Sequence, residues 1–483
     1  MHWVLTNRGI FWICILFTIL FSLSNYFAYW FPVFIPAFAW TILIVFAFPS
    51  ALFFLIVIAT PLSINFEELA FGGIGFYFPT EPLLFGFLIL LLAANAKKRI
   101  FKREVLNHPV TQILFIYLAW LFITSLLSVR PVVSMKFLLA KLWYIIPVYL
   151  LGLSLFLDKK NIFRFVNCYL VPLAGVVIYT LIRHYQNGFA EQPAHWVMEP
   201  FYKDHTQYGA VVSIFIPISL GLFLITNKST SLRYVYLSIF ILLSVGLIFS
   251  YSRAAWISSL AILTILFIIW VRVPKRILLL GFVVSGIFLL TRLDNLMMAL
   301  EKNKTDSSEN LVENVESITN ISTDASNLER LNRWNCAIGM FKEKPIFGWG
   351  PGTYMFEYAP FQLSKDLTII STNFADVGNA HSEYLSALAE SGLIGALIFM
   401  LLIYTVFKTA TRAYRKSDSW RTRTCILFVT LGLGTYFIHG FLNNFLDSDK
   451  ASVPVWGLIA VIVAYDLMDR SSKTSSAQNQ KQP

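Results

Sequence analysis

The sequence predicts an all-α polytopic membrane protein with about 12–14 transmembrane helices and one large loop that carries short helices. Of its 483 residues, 57% are hydrophobic and only 13% are charged, whereas soluble domains are about 45–50% apolar and about 25% charged. The mean hydropathy is +0.65, and short basic clusters separate long apolar runs. These features exclude a soluble enzyme, a disordered chain and a fibrous repeat.

The apolar runs predict the positions of the transmembrane helices, because a helix of about 20 apolar residues crosses the hydrocarbon core of a bilayer. Suitable runs are 112–128, 134–156, 163–184, 206–226, 233–250, 254–271, 277–292, 392–407, 424–442 and 453–467. The run 82–95 is shorter. Prolines interrupt the first 65 residues, which hold roughly one to three crossings.

The basic clusters give the orientation, since short cytoplasmic loops carry an excess of Lys and Arg. Counted across the predicted crossings, all these clusters fall on one side, which we assign to the cytoplasm; they lie at 97–103, 159–164, 228–233, 272–276 and 408–423. This pattern accounts for the net charge of +11 and indicates membrane lipids as partners, with no nucleic acid.

The predicted membrane crossings divide the chain into four parts. Residues 1–292 form the N-terminal transmembrane helices, and 293–391 form the large outer loop. Residues 392–468 form the C-terminal transmembrane helices, and 469–483 form a disordered cytoplasmic tail, because they are rich in Ser, Gln and Lys. The polar segment 301–328 of the loop is expected to be mobile and could gate a site.

Two arginine motifs on the outer side are candidates for anion binding. Arg253 follows Tyr251-Ser252 at the start of a membrane helix and is followed by two alanines that allow a close approach. Arg330 and Trp334 lie one helical turn apart, with Arg333 between them. Arginine binds phosphate bidentately, although Arg253 could also anchor its helix at the membrane surface and the loop arginines could be solvated charges.

His381 and Tyr384 begin a predicted amphipathic helix from about residue 379, which enters the membrane at Gly392. Both would lie on one helix face, and Glu383 and Glu390 would point elsewhere. An imidazole suits proton removal from a sugar hydroxyl near neutral pH, although a single histidine is more often structural.

Two further polar groups lie on the outer side. Asp204 and His205 could line the same pocket or cap a helix. Asp447 and Asp449 match a short metal-binding pattern that is common by chance. We therefore predict no metal site and no cofactor, and the four cysteines form no CxxC motif.

Taken together, these motifs resemble the O-antigen ligase and polymerase superfamily of bacterial membrane glycosyltransferases. Three motifs carry the resemblance: Ser252-Arg253-Ala254-Ala255; Arg330 to Trp334 with Pro345 to Gly350; and the run from His381 through Leu385, Leu388, Glu390 and Gly392 to Gly395. Ser382 stands where the family has Asn.

The resemblance implies an enzyme of the bacterial inner membrane whose active site faces the periplasm. Such enzymes move a glycan from undecaprenyl diphosphate to an acceptor hydroxyl without a metal ion. The acceptor is a lipid A–core sugar in a ligase and a second lipid-linked repeat unit in a polymerase of O-antigen, capsule or exopolysaccharide.

The motifs suggest roles within that reaction. Arg253, Arg330 and His381 are the predicted catalytic residues, and the predicted substrate-binding residues are Arg333, Trp334, Tyr384, His205 and Asp204. A secondary transporter and an envelope scaffold are the alternatives outside this class, but a transporter predicts ionisable residues near the bilayer centre rather than at one rim.

Overall fold

The computed structural model describes residues 49–65, 77–97, 101–272, 325–364 and 378–479, together with positions 274, 276, 367 and 371. The chain divides into two units, Met1–Leu55 and Ile56–Pro483. Of the first unit, the described part is the beginning of helix α1. Every site discussed below lies in the second unit.

The described residues are almost entirely helical, which confirms the predicted fold class. Before the outer loop the helices are α1 Pro49–Leu62, α2 Thr80–Lys97, α3 Arg103–Leu106, α4 Pro109–Leu126, α5 Pro131–Ile145, α6 Gly152–Phe156, α7 Lys159–Gln186, α8 Glu191–Ala194, α9 His205–Ile225, α10 Ser231–Ile248 and α11 Arg253–Val271. The π-helical turn Ile146–Leu151 joins α5 to α6.

The loop and the C-terminal part add α12 Ala325–Glu343, α13 Tyr354–Glu357, the 3₁₀ turn Ala359–Phe361, α14 Glu383–Lys416, α15 Trp420–His439 and α16 Asp449–Asn479. One antiparallel pair of short strands, β1 Ile64–Asn65 and β2 Tyr77–Phe78, connects α1 to α2. The last helix therefore extends to Asn479, into the segment 469–483 that we predict as a tail.

Eight helices in the described part of the chain are long and apolar enough to cross a membrane. Each of the predicted runs between 112 and 271, and those at 392–407, 424–442 and 453–467, falls largely within one helix or within the α5–α6 pair. The crossings predicted before residue 49, the run 277–292 and most of the polar segment 301–328 lie outside the described residues.

The surface of α11 shows why these helices need a lipid environment. Leu260, Leu263, Phe267 and Trp270 recur every three or four residues and form an exposed apolar stripe, in which Trp270 is 77% exposed. In water such a stripe would be unfavourable, and in a bilayer it contacts acyl chains. The chain is thus a multi-pass membrane protein.

Helix packing brings the outer-side motifs together. Helix α9 packs against α10, α11 and α15, while the loop helix α12 packs against α14. The N-termini of α9, α11 and α14 therefore lie near the C-terminus of α15.

Candidate functional site

A sharp corner positions Arg253 at the first turn of α11. Tyr251 has a positive φ of 50°, and Ser252 is the N-cap residue of the helix. Gly209 of α9 packs directly against this corner, because a Cβ at 209 would lie 2.8 Å from the Ser252 Cβ. His205, one turn before Gly209, therefore lies on the helix face beside the corner, and the charge of Arg253 acts on its imidazole.

Asp204 is the N-cap residue of α9. Its Oδ1 accepts hydrogen bonds from the backbone N–H groups of Thr206 and Gln207, both at 2.8 Å. This geometry satisfies two of the backbone donors that every helix N-terminus leaves open. Asp204 therefore caps the helix, and its charge also acts on the imidazoles of His205 and His439.

The two arginines of the loop helix α12, Arg330 and Arg333, have different surroundings. Arg333 is buried and bonds to the Glu329 carboxylate at 2.6 Å, and its guanidinium lies 3.9 Å from the centre of the Tyr358 ring. Arg330 is partly buried, and its charge acts on the imidazoles of His205 and His381. Arg333 thus stabilises the loop and also acts on His381, whereas the charge of Arg330 acts on both His205 and His381.

His381 lies just before α14 and not within it, which corrects the helix start predicted near residue 379. Ser382 is the N-cap residue, and its Oγ accepts from the N–H of Leu385 at 3.4 Å. Because Ser and Asn are equally good N-caps, the family's Asn and this Ser382 can serve the same structural purpose.

The backbone around His381 is held in an unusual conformation. Its φ is 46°, a value that non-glycine residues seldom adopt. Its N–H donates to Asn379 Oδ1 at 2.9 Å, and its carbonyl accepts from the Trp334 indole N–H at 3.3 Å. Trp334 thus links the loop helix to the backbone of His381.

The imidazole of His381 is neutral at physiological pH. Burial is the main cause that lowers its pKa, the positive charge of Arg330 adds to this effect, and together they bring the pKa to about 4. Its Nδ1 is buried and finds no hydrogen-bond partner among the described residues. An unprotonated ring nitrogen is the state in which an imidazole can accept a proton as a general base.

His439 and Asn443 are two site residues that the motifs do not reveal. They lie at and just beyond the C-terminus of α15, and the Asn443 amide nitrogen is 3.1 Å from His439 Nε2. The same amide hydrogen bonds to the imidazole of His381, and the charge of Arg330 acts on His439 as well. The signal in the sequence is a His and an Asn four residues apart at the predicted outer end of a crossing.

The predicted residues therefore form one cluster. Arg330 acts on three imidazoles, those of His205, His381 and His439, and Arg253 acts on the first of them. The rings of His195 and His205 are also in contact, with centroids 4.2 Å apart. The arrangement gathers cations and neutral bases at one end of the membrane helices, where an anionic substrate group could bind.

Tyr384, three residues after His381, lines a groove between helices. Its hydroxyl donates to the Phe437 carbonyl at 2.7 Å, so its ring is held in place. The groove has a volume of about 560 Å³ and runs between α11, α14 and α15 from Tyr384 and Phe441 to Arg415. Its walls are almost entirely apolar, with Ile262, Ile265 and Ile269 contributed by α11.

The glycine-rich turn of the loop docks on a break in α14. Gly350 N–H donates to the Glu390 carbonyl at 2.8 Å, and Leu393 N–H donates to the Pro345 carbonyl at 2.8 Å. Gly392 interrupts the helix with a φ of 69°. The Pro345–Gly350 and Glu390–Gly392 motifs are therefore two sides of one joint that fixes the loop to the membrane helix.

The two glutamates of the His381 motif hold backbone groups. Glu383 Oε1 accepts from the N–H groups of Phe445 and Leu446 at 2.8 and 2.9 Å, and Glu390 Oε1 accepts from the Tyr354 N–H at 3.0 Å. As the sequence predicts, neither carboxylate pairs with the imidazole of His381 in the bonds that the structure describes.

Asp447 and Asp449 have separate protein partners. Asp447 bonds to Lys141 Nζ at 2.7 Å, and Asp449 accepts from the Ser63 hydroxyl at 2.6 Å. Within the described ranges, no three His, Cys, Asp or Glu side chains are arranged so that they could hold a metal ion.

Comparison with known proteins supports the resemblance to O-antigen ligases. The family model described as O-antigen ligase matches residues 209–400. These residues are therefore similar to an O-antigen ligase domain. The matched segment contains Arg253, Arg330 and His381, whereas His205, His439 and Asn443 lie outside it.

A protein of Haemophilus influenzae described as uncharacterized is 23% identical to this chain over 366 residues. The alignment covers 74% of this chain and 82% of that protein. The similarity therefore extends well beyond the segment that matches the O-antigen ligase family, and it does not indicate a particular substrate.

Proposed function

We propose that this protein is a glycosyltransferase of the O-antigen ligase type. It moves a glycan from undecaprenyl diphosphate to a sugar hydroxyl of lipid A–core, at the periplasmic face of the inner membrane. The observation that carries the proposal is that the charge of Arg330 acts on the imidazoles of His205 and neutral His381, and that of Arg253 on His205, in a chain whose nearby Tyr384 lines an apolar groove.

The two arginines act on the leaving group. As the bond between the anomeric carbon and the diphosphate oxygen breaks, negative charge develops on that oxygen. Fixed guanidinium groups in a site with little water stabilise such charge strongly, because they need no reorganisation during the reaction. Arg253 and Arg330 approach the site from different elements and can bind a diphosphate from two sides.

His381 acts on the acceptor. The acceptor oxygen attacks the anomeric carbon, its proton passes to the free Nδ1 of His381, and undecaprenyl diphosphate leaves with the bonding electron pair. A pKa of about 4 keeps the base unprotonated. When a diphosphate binds beside Arg330 it offsets that positive charge, so we expect the pKa of His381 to rise toward the working pH in the complex.

The remaining predicted residues have supporting roles in this proposal. The polyprenyl tail lies in the groove below Tyr384, whose apolar walls suit a hydrocarbon chain. Trp334 positions the backbone of His381, His205 borders the diphosphate beside Arg253, and Arg333 and Asp204 stabilise the elements that carry these residues.

The test is transfer by purified protein from a defined undecaprenyl-diphosphate glycan to lipid A–core, with EDTA present. We expect His381→Ala, Arg253→Ala and Arg330→Ala each to reduce the transfer rate by about 100-fold or more. Lys342→Ala, which removes an exposed charge from the same loop helix, should keep the wild-type rate.

Two results would contradict the proposal. Wild-type rates in both His381→Ala and Arg253→Ala would remove the catalytic assignment, and loss of transfer on chelation would return Asp447 and Asp449 to consideration as metal ligands. Extension of a second lipid-linked repeat unit instead of lipid A–core would identify a polymerase with the same chemistry.

A further inference from the structure

A second pocket lies at the other end of the membrane helices, far from the arginine and histidine cluster. Its volume is about 550 Å³, and it is bordered by α7, α9, α10, α15 and α16. On α9 it touches Leu222 and Ile225, which are about 30 Å along the helix from His205. It is therefore separate from the proposed transfer site.

The walls of this pocket suit a hydrocarbon chain. Phe163, Leu222, Ile225 and Leu232 contribute apolar surface. The polar groups among them are paired with one another, since the Tyr236 hydroxyl donates to Asn167 Oδ1 at 3.0 Å and the Asn167 amide donates to a backbone carbonyl at 2.8 Å. These groups would therefore keep their hydrogen bonds if an apolar ligand filled the pocket.

The rim of the pocket is positive. Lys159 and Arg421 both line it, and no Asp or Glu is among its described lining residues. The nearby Asp158 caps α7 by accepting from the Lys160 N–H at 3.0 Å. Helices α7, α10 and α15 all begin here, and the positive ends of their dipoles add to the charge of the two side chains.

We propose that this pocket binds one anionic phospholipid of the leaflet that faces the basic loops. The phosphate lies between Lys159 and Arg421, and an acyl chain follows Leu222, Ile225 and Leu232. The charge of the rim favours an anionic lipid over a zwitterionic one, and the apolar walls favour a lipid over free phosphate. This inference does not depend on the proposed transfer reaction.

Native mass spectrometry of the delipidated full-length protein tests the headgroup. Phosphatidylglycerol should bind about tenfold more tightly than phosphatidylcholine, and Lys159→Gln with Arg421→Gln should remove that difference. The matched double variant Lys160→Gln with Lys416→Gln removes the same charge from exposed positions outside the pocket, so it should bind as the wild type does. Equal binding of the two lipids by wild-type protein, or full retention by the pocket variant, would overturn the proposal.

Cysteine labelling of the wild-type chain tests the location without a substitution. Cys425 lines the pocket and Cys168 does not, so phosphatidylglycerol should slow maleimide labelling of Cys425 several-fold relative to Cys168. Inorganic phosphate and phosphatidylcholine should leave the ratio unchanged. Protection by phosphate alone would indicate an ion site, protection only by undecaprenyl diphosphate would indicate a donor site, and either outcome would refute the phospholipid assignment.

Discussion

The Asn443 side chain bonds to the imidazoles of His381 and His439, so we expect it to influence which nitrogen of His381 is available as a base. Its amide nitrogen is directed at His439 Nε2, which leaves the carbonyl oxygen for the ring N–H of His381. Since Nδ1 of His381 has no described partner, this pairing favours a proton on Nε2 and a free lone pair on Nδ1.

Asn443→Asp tests this role through the pH dependence of transfer. In the wild type, the pKa of His381 is about 4. Protonation of this residue should therefore lower kcat/KM only at a pH well below 6. A carboxylate at 443 favours protonated His381 and raises its pKa. The acid limb of kcat/KM should therefore move to higher pH, because the neutral base is lost earlier as the pH falls.

Asn443→Leu is the matched variant, since it keeps the approximate volume and adds no charge. It should lower kcat/KM by roughly 5- to 100-fold through the loss of a buried hydrogen bond, without moving the acid limb upward. An unchanged pH profile in Asn443→Asp would mean that Asn443 only supports the fold.

At the scale of residues, the sequence identifies candidate site residues but not all of their contacts. Arg253, Arg330 and His381 are found because they stand in recognisable motifs. Asn443 and His439 are not, because Asn443 matters through its bond to His381, which is distant in sequence, and His439 through its bond to Asn443. Spacing also fails to show that Arg333 pairs with Glu329 and lies against the Tyr358 ring, since Tyr358 is distant in sequence.

At the scale of elements, the joint between the loop and α14 depends on two glycines. A Cβ at Gly392 would lie 2.1 Å from the Ile346 carbonyl oxygen, and one at Gly348 would lie 2.4 Å from the Glu390 backbone. Both residues have a φ of 69°, a conformation that other residues adopt only with strain.

Gly392→Ala should therefore destabilise the joint by about 1–3 kcal/mol from backbone strain, with more from the contact with Ile346. We expect a lower melting temperature in detergent and a proportionate loss of transfer, because the loop carries Arg330. Gly175→Ala is the control, since nothing lies within 4 Å of its Cβ position and α7 is continuous there. Equal melting temperatures for the two variants would show that the joint does not contribute to stability.

The sequence predicts this joint only in part. The hydropathy of the run after Gly392 indicates where the membrane helix begins, and the glycines indicate a turn. The start of α14 is nevertheless misplaced, because periodicity extends the helix back to residue 379. The Ser382 cap and the positive φ of His381 place the start at Glu383 instead.

At the scale of the whole molecule, the positions of the crossings follow from hydropathy, because the bilayer sets the length of every spanning helix. The burial of particular lysines cannot be predicted from hydropathy. Lys141 lies within an apolar run and Lys450 lies in the polar stretch before one, yet both are at most 5% exposed. Their partners come from distant parts of the chain, so one-dimensional patterns cannot anticipate the burial.

Lys450 joins the first described helix to the last. Its Nζ donates to the carbonyls of Thr60 and Ser63, both at 2.7 Å, and to that of Pro61 at 3.3 Å. These carbonyls lie at the C-terminus of α1, where no further turn of helix can satisfy them, and a cation there also complements the helix dipole. The adjacent Asp449 is fully buried, so the lysine offsets its charge.

Lys450→Met keeps a side chain of similar length and removes the ammonium group. It leaves buried carbonyls without a donor and the Asp449 carboxylate without its cation, which costs about 3–5 kcal/mol for a buried charge that loses its partner. The melting temperature in detergent should fall clearly, whereas Lys160→Met, at an exposed position, should leave it unchanged. Adding Asp449→Asn to Lys450→Met should recover part of the loss, because the uncompensated charge is then gone. A double variant no more stable than Lys450→Met would show that the open carbonyls of α1, rather than the charge of Asp449, account for the destabilisation.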